Sequence, residues 1–265
     1  MSESSRKRSD RKANRDGADG SSGGGTAEHR KSDENQDDEE DRGGWIETLR
    51  TLAWSLALFL VLRTFLLQTF FITSGSMKDT MLVGDFLVVN KAATGARIPF
   101  TDLRIPGYSE RTAGEILVFD PPHSDSLKLV KRLIALPGDT VEMRDRVLYR
   151  NGVRVDEPYV RHIDAPDRAA PEMLWQLRYL APGVDPRSYQ PTRDTWGPIV
   201  VPDDRYFFLG DNREESFDGR YFGFVRGDQI EGRASFIYFS YDRESYQAFP
   251  AITAARWGRI FDRYH

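Results

Sequence analysis

Two serines separated by one glycine, Ser74-Gly75-Ser76, follow a short run of aromatic and aliphatic residues. If this stretch is a strand that enters a loop, the two hydroxyls point to the same side, because side chains two apart on a strand share a face. One hydroxyl can then attack a carbonyl carbon while the other donates a hydrogen bond to the oxyanion. Taken alone, the triplet also fits a loop whose hydroxyls only cap backbone groups.

A lysine that could serve as the base, Lys131, lies in the predicted strand at residues 129–136. On a strand it shares a face with Leu129, Leu133 and Ala135. Removal of water from an ammonium group disfavours its charged form and lowers the pKa, so a neutral Lys131 amine could accept the serine proton. The alternative is a lysine that extends to water at a sheet edge.

A second lysine, Lys78, is only two residues from Ser76. It lies beside Asp79 and Thr80, in a segment without apolar alternation, which predicts a solvated and protonated side chain. The pattern therefore favours Lys131 as the base. A third segment, residues 210–225, is dense in Gly, Asp, Asn and Arg and is typical of a tight polar loop.

Several other chemistries are excluded or disfavoured by composition. The chain has no cysteine, which excludes disulfides and thiolate chemistry, and its net charge of -4 gives no basic footprint for nucleic acid. A Ser-His-Asp hydrolase would need a suitable histidine and often a G-x-S-x-G turn, and residues 64–265 offer neither. A penicillin-binding or β-lactamase site needs an S-x-x-K motif, but the residue three before Lys78 is Gly75. We expect no metal and no cofactor, because the histidines are scattered without ligand spacing: His29, His123, His162 and His265.

The elements that must position these residues begin with a membrane helix. Residues 1–44 are polar and predict a disordered tail, whereas residues 45–63 are long and apolar enough to cross a bilayer. Arg63 is expected near the outer surface, with Glu47 and Arg50 near the inner end. Basic residues at the start of the tail favour a cytoplasmic N-terminus: Arg6, Lys7, Arg8, Arg11 and Lys12.

Two alternatives to an uncleaved anchor remain for this segment. A cleavable signal sequence normally starts near the N-terminus and ends at small residues, whereas here a long polar segment precedes it and bulky Phe65, Phe70 and Phe71 follow. The other alternative is a buried helix of a soluble core. The pattern favours an anchor that is retained.

Residues 64–265 predict a body that is mainly β. The dipeptide Asn151-Gly152 is a strong hairpin signal, because both turn positions need positive φ. Residues 157–204 are richer in Pro, Arg and Asp and predict a small insertion or cap, with a short helix at 171–180. Six other short apolar runs bounded by turn residues predict strands, at 86–89, 116–119, 129–136, 147–149, 206–209 and 236–239.

Four ordered blocks behind the predicted membrane helix resemble those of the bacterial type I signal peptidases. The resemblance covers roughly residues 45–241. The blocks are Ser74-Gly75-Ser76-Met77, residues 84–91, Lys131-Arg132 through Pro137-Gly138-Asp139, and Gly210-Asp211-Asn212 through Ser216-x-Asp218-x-Arg220-Tyr221-x-Gly223.

The resemblance implies a role for each matching residue. Ser76 corresponds to the nucleophile and Lys131 to its base, while the Ser74 hydroxyl and the Ser76 backbone N–H correspond to the oxyanion hole. Ser216 corresponds to a serine that orients the lysine. Asp218, Arg220 and Arg132 correspond to a supporting polar network. The chain departs from the common pattern at Thr73, where many members have proline, and at Lys78-Asp79, where an apolar residue and proline are commoner.

The resemblance also implies removal of signal peptides from exported preproteins at the outer face of the bacterial cytoplasmic membrane. Small residues are expected before the cut. A catalytically inactive, membrane-tethered β domain that binds extended peptides is the alternative. Candidate pocket residues, which would also fit an ordinary core, are Phe70, Ile72, Met81, Leu129 and Val130. Candidate lipid contacts near the C-terminus are Trp257, Ile260 and Phe261.

Overall fold

The computed structural model describes residues 29–98, 101, 103–124, 126–163 and 165–264. Helix α1 extends over His29–Phe65. Its part Gly44–Phe65, of 22 residues with mean hydropathy 1.4, is long and apolar enough to cross a membrane. At about 1.5 Å per residue such a helix is roughly 33 Å long, close to the hydrocarbon thickness.

The helix begins within the stretch for which the sequence predicts a disordered tail. Residues such as Glu, Gln, Lys and Arg have good helix propensity, so they can extend a helix that the apolar segment has already nucleated. The prediction for residues 1–28 lies outside the described residues and stays a prediction. The chain divides between Leu56 and Ala57 into two compact units, and the second contains all the strands described.

The largest sheet has seven antiparallel strands in the order β1-β2-β13-β5-β6-β11-β12. This architecture confirms the prediction of a mainly β body. The strands are β1 Leu67–Phe71, β2 Asp85–Asn90, β5 Ile116–Phe119, β6 Leu129–Ala135, β11 Arg205–Leu209, β12 Val225–Arg226 and β13 Ile230–Ser240.

A second sheet has four strands in the order β10-β7-β8-β9. The predicted hairpin at Asn151-Gly152 joins β8 to β9, and both residues have positive φ, at 52° and 77°. The strands of this sheet are β7 Thr140–Arg144, β8 Val147–Arg150, β9 Val153–Arg154 and β10 Trp196–Val200. A third sheet pairs β3 Gly95–Arg97 with β4 Arg104–Pro106.

Short helices connect these strands. The α-helices are α2 Lys91–Thr94, α3 Gly219–Phe222 and α4 Pro250–Thr253. The 3-10 helices are Pro171–Arg178, Arg213–Glu215, Gly227–Gln229 and Trp257–Arg259.

The central strands explain why their sequences are continuously apolar. Strand β5 lies between β13 and β6, and all its residues are buried, because both faces of the sheet are covered there. Strand β2, next to the edge, instead alternates between buried and partly exposed residues. Three clusters of buried hydrophobic side chains pack on these sheets.

The predicted insertion at 157–204 is integrated into the β body. The helix expected at 171–180 is present as the 3-10 helix Pro171–Arg178, and β10 completes the second sheet. Met173 and Trp196 belong to the same buried cluster as Phe207 of β11. A cap separate from the body is therefore not confirmed.

Candidate active site

Ser76 lies in a turn that follows β1, and its side chain is only 7% exposed. The turn is anchored by two buried methionines, Met77 and Met81, whose backbones are joined by a hydrogen bond of 2.7 Å from Met81 N–H to Met77 C=O. Both methionines pack in one apolar cluster with Ile72. Burial of these side chains fixes the turn and thereby places Ser76.

A polar loop that follows β11 binds this turn directly. Asn212 donates its backbone N–H to Ser76 C=O and its Nδ2 to Gly75 C=O, both at 3.0 Å. Asp211 donates its backbone N–H to Met77 Sδ at 3.4 Å. The loop residues Gly210-Asp211-Asn212 therefore hold the backbone around the candidate nucleophile.

Lys131 lies in strand β6 and is 2% exposed. Its cross-strand partner is Leu117, which is fully buried in one apolar cluster with Leu133, while Leu129 packs against that cluster. The lysine is therefore buried on an apolar strand face, as the alternation predicted. A hydrogen bond joins Lys131 Nζ to Ser76 Oγ.

The environment of Lys131 favours its neutral form. Burial lowers the pKa of Lys131 to about 8; the carboxylates of Asp218 and Asp211 raise it, and the guanidinium of Arg220 lowers it further. Desolvation thus outweighs the two carboxylates. An amine with this pKa is neutral in a substantial fraction of molecules near pH 8.

Asp218 and Arg220 form a pair that is fully buried. Arg220 donates Nε to Asp218 Oδ1 and Nη2 to Asp218 Oδ2, both at 2.9 Å. Asp218 also caps helix α3 and accepts the Gly210 backbone N–H at 3.0 Å. Burial tends to raise the pKa of Asp218, but the charge and hydrogen bonds of Arg220 outweigh it and lower the pKa. Asp218 is therefore an anion beside Lys131.

A second buried pair, Arg132 and Asp211, lies beside the turn that carries Ser76. Arg132 donates Nε to Asp211 Oδ1 at 2.9 Å and Nη2 to Asp211 Oδ2 at 2.7 Å. Thr80, which follows Ser76 in the same turn, donates its hydroxyl to Asp211 Oδ2 at 2.6 Å. The pair therefore connects strand β6 to the turn that carries Ser76.

Ser74 and Ser76 present their hydroxyls to the same side of the turn. Their Oγ atoms are 3.4 Å apart, within hydrogen-bonding distance, and Ser74 is exposed whereas Ser76 is buried. This arrangement agrees with the spacing argument for two serines two residues apart. It leaves the Ser74 hydroxyl accessible to a substrate oxygen.

Ser216 is buried beside the site. A Cβ placed on Gly210 would collide with the Ser216 side chain and would lie 2.7 Å from Ser76 C=O, so the small size of Gly210 lets these groups approach. The Ser216 hydroxyl makes no hydrogen bond within the described part of the chain. Its expected role in orienting Lys131 stays a prediction.

The rival base and the departures from the common pattern lie on the exposed side of the turn. Lys78 and Asp79 are both exposed. Asp79 has φ of 75°, a conformation that a proline ring forbids, so the turn differs locally from one with proline there. The Asp79 carboxylate instead pairs with Arg161 at 2.8 Å.

The structure brings four of the five candidate pocket residues together. Ile72 and Met81 are buried in one cluster, and Phe70 and Val130 pack against it. Leu129 packs against another cluster, beside Leu117 and Phe119, because it lies on the opposite face of β6 from Val130.

The predicted site lacked several residues that the structure places around it. Asp211 and Asn212 lie in the quoted block, but only the fold shows which backbone groups they bind. Thr80, Tyr159 and Trp175 carried no sequence signal, since their contacts join segments far apart in the chain.

Comparisons with known proteins identify the family to which the chain is similar. The family described as signal peptidase, peptidase S26, matches residues 45–239. A signal peptidase I of Pseudomonas aeruginosa is 34% identical over 203 residues, covering 70% of this chain and 69% of the relative. A probable signal peptidase I-2 of Synechocystis is 34% identical over 197 residues, covering 72% and 71%. A signal peptidase I of Rickettsia typhi is 33% identical over 204 residues, covering 70% and 76%.

Among solved structures, the crystal structure of a signal peptidase I from Enterococcus faecalis is 33% identical. The match covers 47% of the present chain and 97% of the Enterococcus faecalis chain, with a TM-score of 0.31. The resemblance drawn from the four sequence blocks is confirmed by the family match and by the relatives. The chain belongs to the signal peptidase family, peptidase S26.

Proposed function

We propose that this chain is a serine endopeptidase that removes N-terminal signal peptides from exported preproteins, with Ser76 as nucleophile and Lys131 as general base. The observation that carries the proposal is the hydrogen bond between Ser76 Oγ and a buried lysine whose pKa is lowered to about 8. The names of the relatives support the substrate class.

The chemistry follows from these two side chains. Neutral Lys131 takes the Ser76 proton as Oγ bonds to the scissile carbonyl carbon. When the amide C–N bond breaks, the Lys131 ammonium returns the proton to the leaving amine, and the signal peptide remains as an ester on Ser76. A water that gives its proton to Lys131 then attacks the ester carbon. The bond between that carbon and Ser76 Oγ breaks, the signal peptide leaves with a free carboxyl group, and the Lys131 ammonium returns the proton to Ser76 Oγ.

The oxyanion of each tetrahedral intermediate needs donors aimed at it. The Ser74 hydroxyl and the Ser76 backbone N–H are the candidates, since Ser74 Oγ lies 3.4 Å from the attacking oxygen. Donors held in place before the reaction stabilise the developing charge without reorganisation. The Asn212 hydrogen bonds to the carbonyls of Gly75 and Ser76 support this placement, because they fix the peptide planes of the turn.

The specificity pocket of the proposal is the surface formed by Phe70, Ile72, Met81 and Val130. These side chains belong to or pack against one apolar cluster, which also contains Met77, the residue that follows Ser76. A restricted apolar pocket favours small residues such as alanine before the cut.

Membrane placement completes the proposal. Gly44–Phe65 crosses the cytoplasmic membrane once, the N-terminal tail is cytoplasmic and the β body is extracytoplasmic. The length and hydropathy of this helix support the crossing, and Ser76 follows its end within a short stretch of chain. Lipid contact by the C-terminal segment is a separate prediction. The exposure of Trp257 and Phe261 supports it, whereas Ile260 is partly buried.

The test is cleavage of a purified preprotein by the full chain in detergent, with the products measured by mass spectrometry. The expected result is one cut that follows a small residue at the end of the signal peptide, and no cut with Ser76→Ala. An intact preprotein that still binds to the wild-type chain would contradict the proposal and support the non-cleaving peptide-binding alternative.

A further inference from the structure

The segment 157–204 contributes two aromatic side chains that contact the arginines of the site. Tyr159 lies near its start, and Trp175 lies in the 3-10 helix Pro171–Arg178. Neither residue touches Ser76 or Lys131 in the contacts described. Each contacts an arginine that is paired with a carboxylate near Lys131.

Tyr159 covers Arg132. The centre of the guanidinium is 3.6 Å from the centroid of the tyrosine ring, a close cation–π contact. The tyrosine hydroxyl donates to Glu157 at 3.1 Å, and Glu157 binds Arg213 of the polar loop at 2.5 Å. The ring itself therefore covers the arginine that forms two hydrogen bonds with Asp211.

Trp175 holds the other arginine through its backbone. Trp175 Nε1 donates to Arg220 C=O at 2.8 Å, and the indole packs edge-to-face on Phe224 at 5.0 Å. The guanidinium of Arg220 donates in addition to Arg213 C=O at 2.5 Å and to Arg193 C=O at 3.4 Å. Helix α3, which carries Arg220, is therefore fixed against the insertion.

The charges that act on Lys131 are Asp211 from the polar loop and Asp218 and Arg220 at the start of α3, while Arg132 of β6 neutralises Asp211. Each carboxylate is matched by one arginine. A carboxylate released from its arginine would favour the ammonium form of the lysine, and a protonated lysine cannot accept the serine proton.

We propose that Tyr159 and Trp175 are positioning residues, which hold Arg132 on Asp211 and Arg220 on Asp218 and thereby keep Lys131 able to act as a base. The inference rests on the proposed function and gives the segment 157–204 a role in it. Ordinary core packing of the two rings would affect stability alone.

The test compares four variants of the full chain in detergent. Tyr159→Leu removes the ring over Arg132, and Tyr159→Phe keeps it. Trp175→Phe removes the hydrogen bond to Arg220, whereas Trp196→Phe makes the same substitution at a buried tryptophan whose Nε1 has no hydrogen-bond partner in the described structure. Circular dichroism and thermal melting identify any variant that fails to fold, and the two positions test the inference independently.

Two quantities are measured for each variant. The first is the pH dependence of kcat/KM. The second is the pH titration of the Lys131 NMR signal in protein labelled with ¹³Cε-lysine, a signal assigned by its absence in Lys131→Met. We expect the midpoint of both titrations to rise by about one pH unit in Tyr159→Leu and Trp175→Phe, because a carboxylate that its arginine no longer holds favours the ammonium form of Lys131, and to stay unchanged in the two controls. Unchanged midpoints in folded Tyr159→Leu and Trp175→Phe would overturn the inference.

The two readouts separate this inference from the proposed function. If the wild-type chain failed to cleave preproteins while the Lys131 titration still moved in the two variants, the proposed function would be wrong and the positioning role would stand. If cleavage required Ser76 and Lys131 but the titration did not move, the positioning role alone would be wrong.

Discussion

Lys131 Nζ is hydrogen-bonded to Ser76 Oγ across 55 residues of sequence. Ser76 follows β1 at the edge of the main sheet, whereas Lys131 lies in β6, which is separated from β1 by three strands. The polar loop after β11 bridges them: Asn212 binds the backbone at Ser76, and Asp211 binds both Arg132 and Thr80. The geometry of the pair is therefore set by three segments that are distant in sequence.

Cleavage should depend on the protonation of Lys131. Because only the neutral amine accepts the serine proton, kcat/KM should rise with pH and reach half its maximum near pH 8, the value to which burial lowers the pKa of Lys131. The measurement is kcat/KM for a signal-peptide substrate across the pH range in which the protein stays folded. A midpoint near 10.5, the ordinary lysine value, would show that the lysine is solvated or is not the base.

The buried lysine should also make stability depend on pH. Its folded pKa is lowered from 10.5 to about 8, so the unfolded chain binds more protons between these values and wild-type stability rises with pH there. We compare the free energy of unfolding of the wild type with that of Lys131→Met. The wild-type value minus the variant value should be about 3 kcal/mol lower at pH 7 than at pH 11, since a shift of one pKa unit corresponds to about 1.4 kcal/mol. Denaturant unfolding of both proteins at several pH values measures the difference. A constant difference would contradict the lowered pKa.

The Asp218–Arg220 pair should contribute to stability as well as to the site. Arg220→Met leaves the Asp218 carboxylate buried without its counter-charge, which typically costs about 3–5 kcal/mol. Arg226→Met is the matched control, because the Arg226–Asp228 pair is about half exposed and such pairs contribute about 1 kcal/mol or less. Denaturant midpoints of the two variants decide the question; similar losses would mean that burial does not strengthen the pair.

Ser74 should stabilise the oxyanion. Ser74→Ala should lower kcat by about 10²- to 10³-fold with little change in melting temperature, because one donor is lost from an exposed position. Ser74→Thr keeps the hydroxyl and should retain most of the activity. Equal activity of the alanine and threonine variants would remove Ser74 from the oxyanion hole.

Much of the fold followed from local patterns in the sequence. The apolar runs of β2, β5, β6, β8, β11 and β13 and the positive-φ turn at Asn151-Gly152 were predicted and are observed. The strands β7, β10 and β12 were not predicted, because they are short or mixed in polarity and exist through pairing with partners that the sequence does not reveal.

Part of the candidate site could be predicted from residue types and from the alternation of side chains along a strand. The burial of Lys131 followed from its apolar neighbours on one strand face, and the position of Ser74 beside Ser76 followed from their spacing. The contacts of Tyr159 with Arg132 and of Trp175 with Arg220 could not be predicted, since each joins segments whose approach depends on the whole fold. Alternation on β6 also explains why Leu129 and Val130 pack against different clusters, and the pocket role of both residues stays a prediction.

The most direct test of the Ser76–Lys131 pair is cleavage of one purified preprotein by wild type, Lys131→Ala and Lys78→Ala, with each variant shown to be folded. Lys131→Ala should lose about 10²- to 10⁴-fold in rate, the usual contribution of a general base, whereas Lys78→Ala should stay within about threefold of wild type, because the Lys78 side chain is exposed. Cleavage by Lys131→Ala at the wild-type rate, or its loss in Lys78→Ala, would contradict the assignment of Lys131 as the base.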